Sequence, residues 1–203
     1  MYLPYFSDCI CNIKSGILYR NTTTTLNDMT NYFIIPGYGG SGADHWQTYF
    51  ENTQENFQRI QQRDWDNPVI DEWVENVEKA ISGYDLETVV LVAHSLGCWT
   101  VAEWAKRYNR KIKGALLVAP PDAVLVQEKI HHCIFTEISI QKINTKTILV
   151  ASTNDHWATI DTAKGYADSW GSEFINIGDA GHINNLSGYG EWNQGLEILK
   201  ALS

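Results

Sequence analysis

The sequence predicts a single α/β domain: a mostly parallel central sheet of about six strands, with helices on both faces. Three observations carry that expectation. From residue 31 onward, short β-branched runs alternate with helical stretches, the rhythm of repeated strand–helix–strand crossovers. Several runs are continuously apolar, as strands covered on both faces must be. The chain has 203 residues, 44% of them hydrophobic and 19% charged, enough for one domain with its own core. That composition excludes a disordered chain, a collagen and a coiled coil.

The elements follow in order. Residues 1–28 are rich in Asn and Thr and show no sustained period, so either Met29 is the true start or they form a loosely attached N-terminal extension, with the domain spanning 29–203. Tyr32–Ile35 reads as the first strand, ended by Pro36-Gly37-Tyr38-Gly39-Gly40, and a helix is expected over 43–52. Phe57–Gln62 is a second, weaker strand of alternating polarity. Asn67 resembles an N-cap with Pro68 at the first helical position. Ile70, Trp73, Val74, Val77 and Ile81 then fall on one helical face, with Gly83 as the stop. Thr88–Ala93 is the clearest buried strand and leads into a helix from Gly97 to Tyr108. Lys113–Ala119 and Lys146–Ala151 are further buried strands, separated by about 25 residues whose pattern leaves a lid or a helix open. Ala158–Trp170 reads as a helix, Glu173–Ile177 as the last strand and Glu191–Leu202 as the closing helix.

Net charge is −9, so no broad cationic face is available for a nucleic-acid backbone. No apolar run approaches the ~18 residues of a membrane span, and the N-terminus lacks a basic region followed by a clean apolar stretch. A cytoplasmic protein is expected, with neither nucleic acid nor membrane as partner. Cys9, Cys11, Cys98 and Cys133 lack zinc spacing. His45, His131 and His132 lack paired carboxylates at metal spacing, so no metal or cofactor is expected.

Reactive groups of parallel sheets gather at the carboxyl ends of strands. There stands Ala93-His94-Ser95-Leu96-Gly97, which approximates the G-x-S-x-G turn that lifts a serine hydroxyl above the sheet. Ala93 replaces the first glycine; Gly97 keeps the second. Asp155 follows the strand 146–151 and His182 follows the strand 173–177. The order Ser95, Asp155, His182 is that of the α/β-hydrolase arrangement. In this reading Ser95 is the nucleophile, His182 the general base and Asp155 the acid that orients it. The Leu96 amide, the first after the nucleophile, and the Tyr38 amide in the Gly-rich turn are the expected oxyanion donors. That turn lacks the lysine and hydroxyl of a phosphate-binding loop.

From Asn31 onward the chain resembles the small serine hydrolases grouped with retinoblastoma-binding protein nine. The segments that carry the resemblance are IIPGYGGSGADHWQTYFE (34–51), RDWDNPVIDEWVENV (63–77), LVAHSLGCWTVAEWA (91–105), VAPPD (118–122), STNDHW (152–157) and GHIN (181–184). The resemblance implies a single α/β-hydrolase-type domain that is a cytosolic hydrolase without metal, cofactor or large lid, with Ser95, Asp155 and His182 in the roles given above. That family often carries Gly where Ala93 stands and usually Pro where His156 stands; neither change removes a reacting group. It also includes members known for binding partners.

Asp179 is the main rival to Asp155, and Asp122 a weaker one. His94 is expected to be a hydrogen-bonded core residue directed away from the nucleophile. His45, Trp46, Trp99 and Trp157 are candidate pocket walls, with packing on the sheet as the competing role. The expected activity is acyl transfer from a small ester, thioester or amide; the alternative is a binding or scaffold protein that keeps the fold with little turnover.

Overall fold

The computed structural model describes residues 30–202 apart from 54, 132 and 134–137. The expected extension 1–28, the start at Met29, Cys9, Cys11 and His132 lie outside the described residues.

Along the strands, side-chain parity decides which layer each residue joins. Phe33, Ile35, Leu91, Ala93, Leu117 and Leu149 face one core; Tyr32, Ile34, Val90, Val92, Leu116 and Val150 face the other. The strands are β1 (Asn31–Ile35), β2 (Phe57–Arg59), β3 (Val89–His94), β4 (Gly114–Val118), β5 (Thr147–Ala151) and β6 (Glu173–Asn176). All pairings are parallel, in the order β2-β1-β3-β4-β5-β6. β3, β4 and β5 are buried at every position, whereas the outer strand β6 buries none of its four residues fully. This accounts for the continuous apolar runs in the middle of the sheet and the mixed polarity at its edges.

The first core is closed by α2 (Ile70–Ile81), α3 (Leu96–Tyr108) and α5 (Ile160–Trp170), through Trp73, Val77, Trp99, Trp104 and Trp170. The second is closed by α1 (Trp46–Thr53) and α6 (Asn193–Lys200), through Trp46, Phe50 and Leu199. α4 (Ala123–Lys129) occupies part of the segment whose pattern left a lid or a helix open. No helix among the described residues is long and apolar enough to cross a membrane.

Several boundaries differ from the sequence reading for local reasons. Asn67 does not cap α2. The Asp64 carboxylate accepts from the Asp66 and Asn67 amides and from Asn67 Nδ2, which holds Asn67 in a turn and delays the helix to Ile70, after Val69. α5 starts at Ile160 because the Thr159 hydroxyl accepts from the Thr162 amide at 3.1 Å. β2 shortens to three residues. α1 begins at Trp46 because residues 42–45 form a turn closed by His45 N–H donating to the Gly42 carbonyl.

The order reverses where β1 lies between β2 and β3. Such a switch point leaves a crevice beyond the carboxyl ends of the two strands, and the turns after β1 and β3 meet there.

Candidate active site

Ser95 sits between β3 and α3 with φ of 54°. A non-glycine residue there is strained by roughly 1–3 kcal/mol and persists only where its surroundings fix it. They do: the Ser95 amide donates to the Val118 carbonyl at 2.9 Å, and its carbonyl accepts from the Cys98 amide at 2.9 Å. Glycine is required two residues on. A Cβ at Gly97 would stand 2.2 Å from the Ile35 carbonyl oxygen and 2.9 Å from that of Pro36, because α3 begins against the end of β1. Gly97→Ala is therefore expected to cost about 1–3 kcal/mol or more and to displace Ser95, lowering both the melting temperature and turnover. A wild-type melting temperature would contradict this account of the turn. Ala93, by contrast, is accommodated in the first core.

The turn after β1 touches this elbow. A Cβ on Gly37 would meet the Ser95 Cβ at 2.7 Å and the Leu96 nitrogen at 3.1 Å. Gly39 and Gly40 both have φ of 75°, a region open to glycine. Arg59 braces the turn: its guanidinium donates to the Gly40 carbonyl, to the Ser41 carbonyl at 2.9 Å and to the Thr48 hydroxyl at 2.7 Å, while pairing with Glu51 at 2.9 Å. Leu96 opens α3, where first-turn amides have no partner within the helix.

His182 lies on the loop after β6. Its Nε2 is 3.0 Å from Ser95 Oγ, and its Nδ1 is 2.9 and 3.0 Å from the two Asp155 oxygens. Asp155 Oδ1 also accepts from the Trp157 amide at 2.9 Å. Side chains after β5 stitch the two loops together: Ser152 Oγ accepts from the Ala180 amide at 3.0 Å, and Asn154 Oδ1 accepts from the Gly181 amide at 2.6 Å. Ser152 and Asn154 were not singled out in the sequence; their polar side chains directly past a buried strand were the available signal.

The rivals are engaged elsewhere. Asp179 accepts from the Thr153 hydroxyl. Asp122 caps α4, accepting from the Val124 and Leu125 amides. Cys98 is buried, its thiol donating to the Val118 carbonyl at 3.3 Å, and burial pushes that thiol up, away from the reactive thiolate form.

A cavity of about 240 Å³ opens beside Ser95 and His182. Pro121, Val126, Ile130 and Trp157 form an apolar part of its wall, and Tyr38, Ser41, His45, Asn184 and Asn185 a more polar part. Among the four wall candidates, His45 and Trp157 line it. Trp46 and Trp99 do not. Trp46 is packed in the second core against Phe50 and Trp192, and Trp99 lies in the first core beneath α3; burying such large rings outweighs exposing them in a wall. His94 is hydrogen-bonded and buried, as expected, but it does not turn away from the site. It shares the parity of Val90 and Val92, so its ring lies against His182, with centroids 4.9 Å apart, and it borders the cavity.

His45 and His94 are both held neutral. Burial, with Arg59 and His182 nearby, pushes His45 down to about 3; burial, with His45 and His182 nearby, holds His94 well below the ordinary range. In the unfolded chain both protonate near pH 6.5, so below that pH the unfolded state binds more protons. The stability these two neutral imidazoles contribute is fully present above about pH 6.5 and is lost as the pH falls toward 3, each contributing a slope of up to about 1.4 kcal/mol per pH unit. Urea midpoints between pH 7 and 4 should record this fall, and His45→Gln should flatten it. An unchanged slope would show that His45 does not carry it.

Among the described residues, no group of three or more His, Cys, Asp or Glu side chains is placed to hold a metal ion. No curated protein matches the chain in sequence. A YdeN-like hydrolase from Pectobacterium atrosepticum superposes with a TM-score of 0.76 at 30% identity, over 86% of this chain and 90% of that one. The ydeN gene product of B. subtilis gives 0.73 at 18% identity, over 86% and 98%. The non-heme bromoperoxidase BpoC of Mycobacterium tuberculosis gives 0.65 at 12%, over 87% and 94%; at that distance the likeness is one of fold alone. The model of the family described as serine hydrolase matches residues 32–201. With a matched stretch reaching from β1 to the end of α6, the chain belongs to the serine hydrolase family.

Proposed function

We propose that this serine hydrolase works by acyl transfer through Ser95, His182 and Asp155, on a small ester, thioester or amide, in the manner of a carboxylesterase. One observation carries the reading: a single imidazole within hydrogen-bond reach of both the Ser95 hydroxyl, at 3.0 Å, and the Asp155 carboxylate, at 2.9 Å. A carboxylate facing Nδ1 favours the tautomer protonated there, which leaves the Nε2 lone pair directed at the hydroxyl.

As Ser95 Oγ attacks the substrate carbonyl, its proton passes to His182 Nε2, and Asp155 stabilises the resulting imidazolium. Negative charge develops on the carbonyl oxygen, for which the Leu96 and Tyr38 amides are the donors. The tetrahedral intermediate collapses, His182 protonates the leaving group, and an acyl group remains on Ser95. Water then attacks this acyl-enzyme with His182 again as base, which releases the acid and restores the serine. A cavity of about 240 Å³ suits a short acyl chain against Val126, Ile130 and Trp157, with the more polar portion toward Ser41 and Asn185.

The reading is tested with a fluorophosphonate probe and peptide mapping. The expected result is one stoichiometric adduct on Ser95, lost in Ser95→Ala. An unlabelled wild type, or a label that survives in Ser95→Ala, would overturn it.

A further inference from the structure

The loop that presents His182 takes left-handed backbone on both sides of the histidine, open to glycine at Gly181 but strained at Ile183. Gly181 has φ of 55° and Ile183 φ of 48°; for a β-branched residue such as Ile183 this is a rare conformation that needs outside support. The support comes from two aromatic side chains distant in sequence. His94 Nε2 lies 2.9 Å from the His182 carbonyl oxygen. Trp46 Nε1 donates to the Ile183 carbonyl at 2.9 Å. A carbonyl only accepts, so the His94 ring is protonated at Nε2 and donates. Both donors are buried, where a hydrogen bond is strong and a lost partner is costly. The two rings also pack on one another, with centroids 5.9 Å apart.

We propose that His94 and Trp46 are positioning residues that clamp the two consecutive carbonyls at His182 and Ile183, and so hold the His182 imidazole in line with Ser95. His94 is the residue before Ser95, so the clamp ties the nucleophile's own strand directly to the loop of the base. Trp46 ties the same loop to the first turn of α1, next to the turn expected to supply an oxyanion donor. The three parts of the site are thereby fixed to one another without a fourth group entering the chemistry. The neutrality of His94 suits this role, because a second cation beside His182 would oppose formation of the imidazolium. The proposal rests on the reading of Ser95 and His182 given above.

The test uses His94→Phe and Trp46→Phe, which keep an aromatic ring and remove the donor, and His94→Gln, whose amide nitrogen reaches about as far as Nε2. A displacement of the base by about 1 Å is worth roughly 100-fold in rate. His94→Phe and Trp46→Phe should each lower kcat on p-nitrophenyl butyrate between about 10- and 100-fold, with KM within about 3-fold and fluorophosphonate labelling slowed in parallel; His94→Gln should recover most of the loss. Wild-type kcat in either phenylalanine variant removes that donor from the clamp, and a His94→Gln enzyme as impaired as His94→Phe overturns the assignment for His94. If the variants fail to fold, hydrogen exchange on the wild type decides. The His94 Nε2 and Trp46 Nε1 protons should exchange as slowly as core amides of β3, and rapid exchange of either contradicts the proposal. A wild type that is not labelled at Ser95 would instead remove the hydrolase reading itself, so the two failures are distinguishable.

Discussion

Ser95→Ala is expected to lower kcat on p-nitrophenyl butyrate by roughly 10⁴- to 10⁶-fold, leaving a small residue of catalysis from oxyanion stabilisation and binding. The change should not unfold the protein. Ser95 already holds φ of 54°, and alanine meets the same backbone strain as serine; the bonds from its amide to Val118 and from Cys98 to its carbonyl are made by the main chain. The expected melting temperature is therefore within a few degrees of wild type. Activity assayed beside a thermal melt separates the two effects. A variant that retains more than about a tenth of wild-type kcat would place the nucleophile elsewhere.

Asp155→Asn should cost about 10⁴-fold in kcat, with little change in KM. Its isosteric amide would present both an oxygen and an NH₂ group. The Trp157 amide donates to Asp155 Oδ1 at 2.9 Å and would retain the oxygen there, which turns the NH₂ toward His182 Nδ1. An N–H donor facing Nδ1 requires that nitrogen to be unprotonated, so the imidazole proton moves to Nε2. A donor then points at the Ser95 hydroxyl where the mechanism needs an acceptor. The protein keeps its shape and loses its base. Single-turnover kinetics should show slow acylation, not slow product release. Wild-type acylation in this variant would mean that Asp155 does not set the tautomer.

The middle of the sheet was legible because burial on two faces leaves no room for polar residues: β3, β4 and β5 are continuous apolar runs in the sequence and fully buried in the fold. The convergence of Ser95, Asp155 and His182 was legible for a related reason. Each lies within a few residues of the carboxyl end of a parallel strand, and parallel strands end on the same side, so chain order alone brings Ser95, Asp155 and His182 to one rim. What pattern could not resolve was set by tertiary contacts. The ring of Trp46 looks like a pocket wall when read next to the oxyanion turn, but its indole N–H finds the Ile183 carbonyl 137 residues away. Trp99 lies four residues past Ser95, a spacing that brings a helical side chain back to nearly the same side, yet its ring packs into the first core, a placement set by the sheet and helices around it. Asn67 has the chemistry of an N-cap, but Asp64 reaches it first. The sequence makes His94 a buried, hydrogen-bonded residue; that its partner is the main chain of His182 depends on how the loop after β6 folds back.

The direct test of the central claim is a rapid-mixing experiment at neutral pH with p-nitrophenyl butyrate, stopped with acid and read by intact mass and peptide mapping. The account predicts a stoichiometric burst of p-nitrophenol and a butyryl group on Ser95 that disappears with the steady-state rate. Product release without a burst, together with no acyl adduct at any time, or an adduct on another side chain, would contradict it.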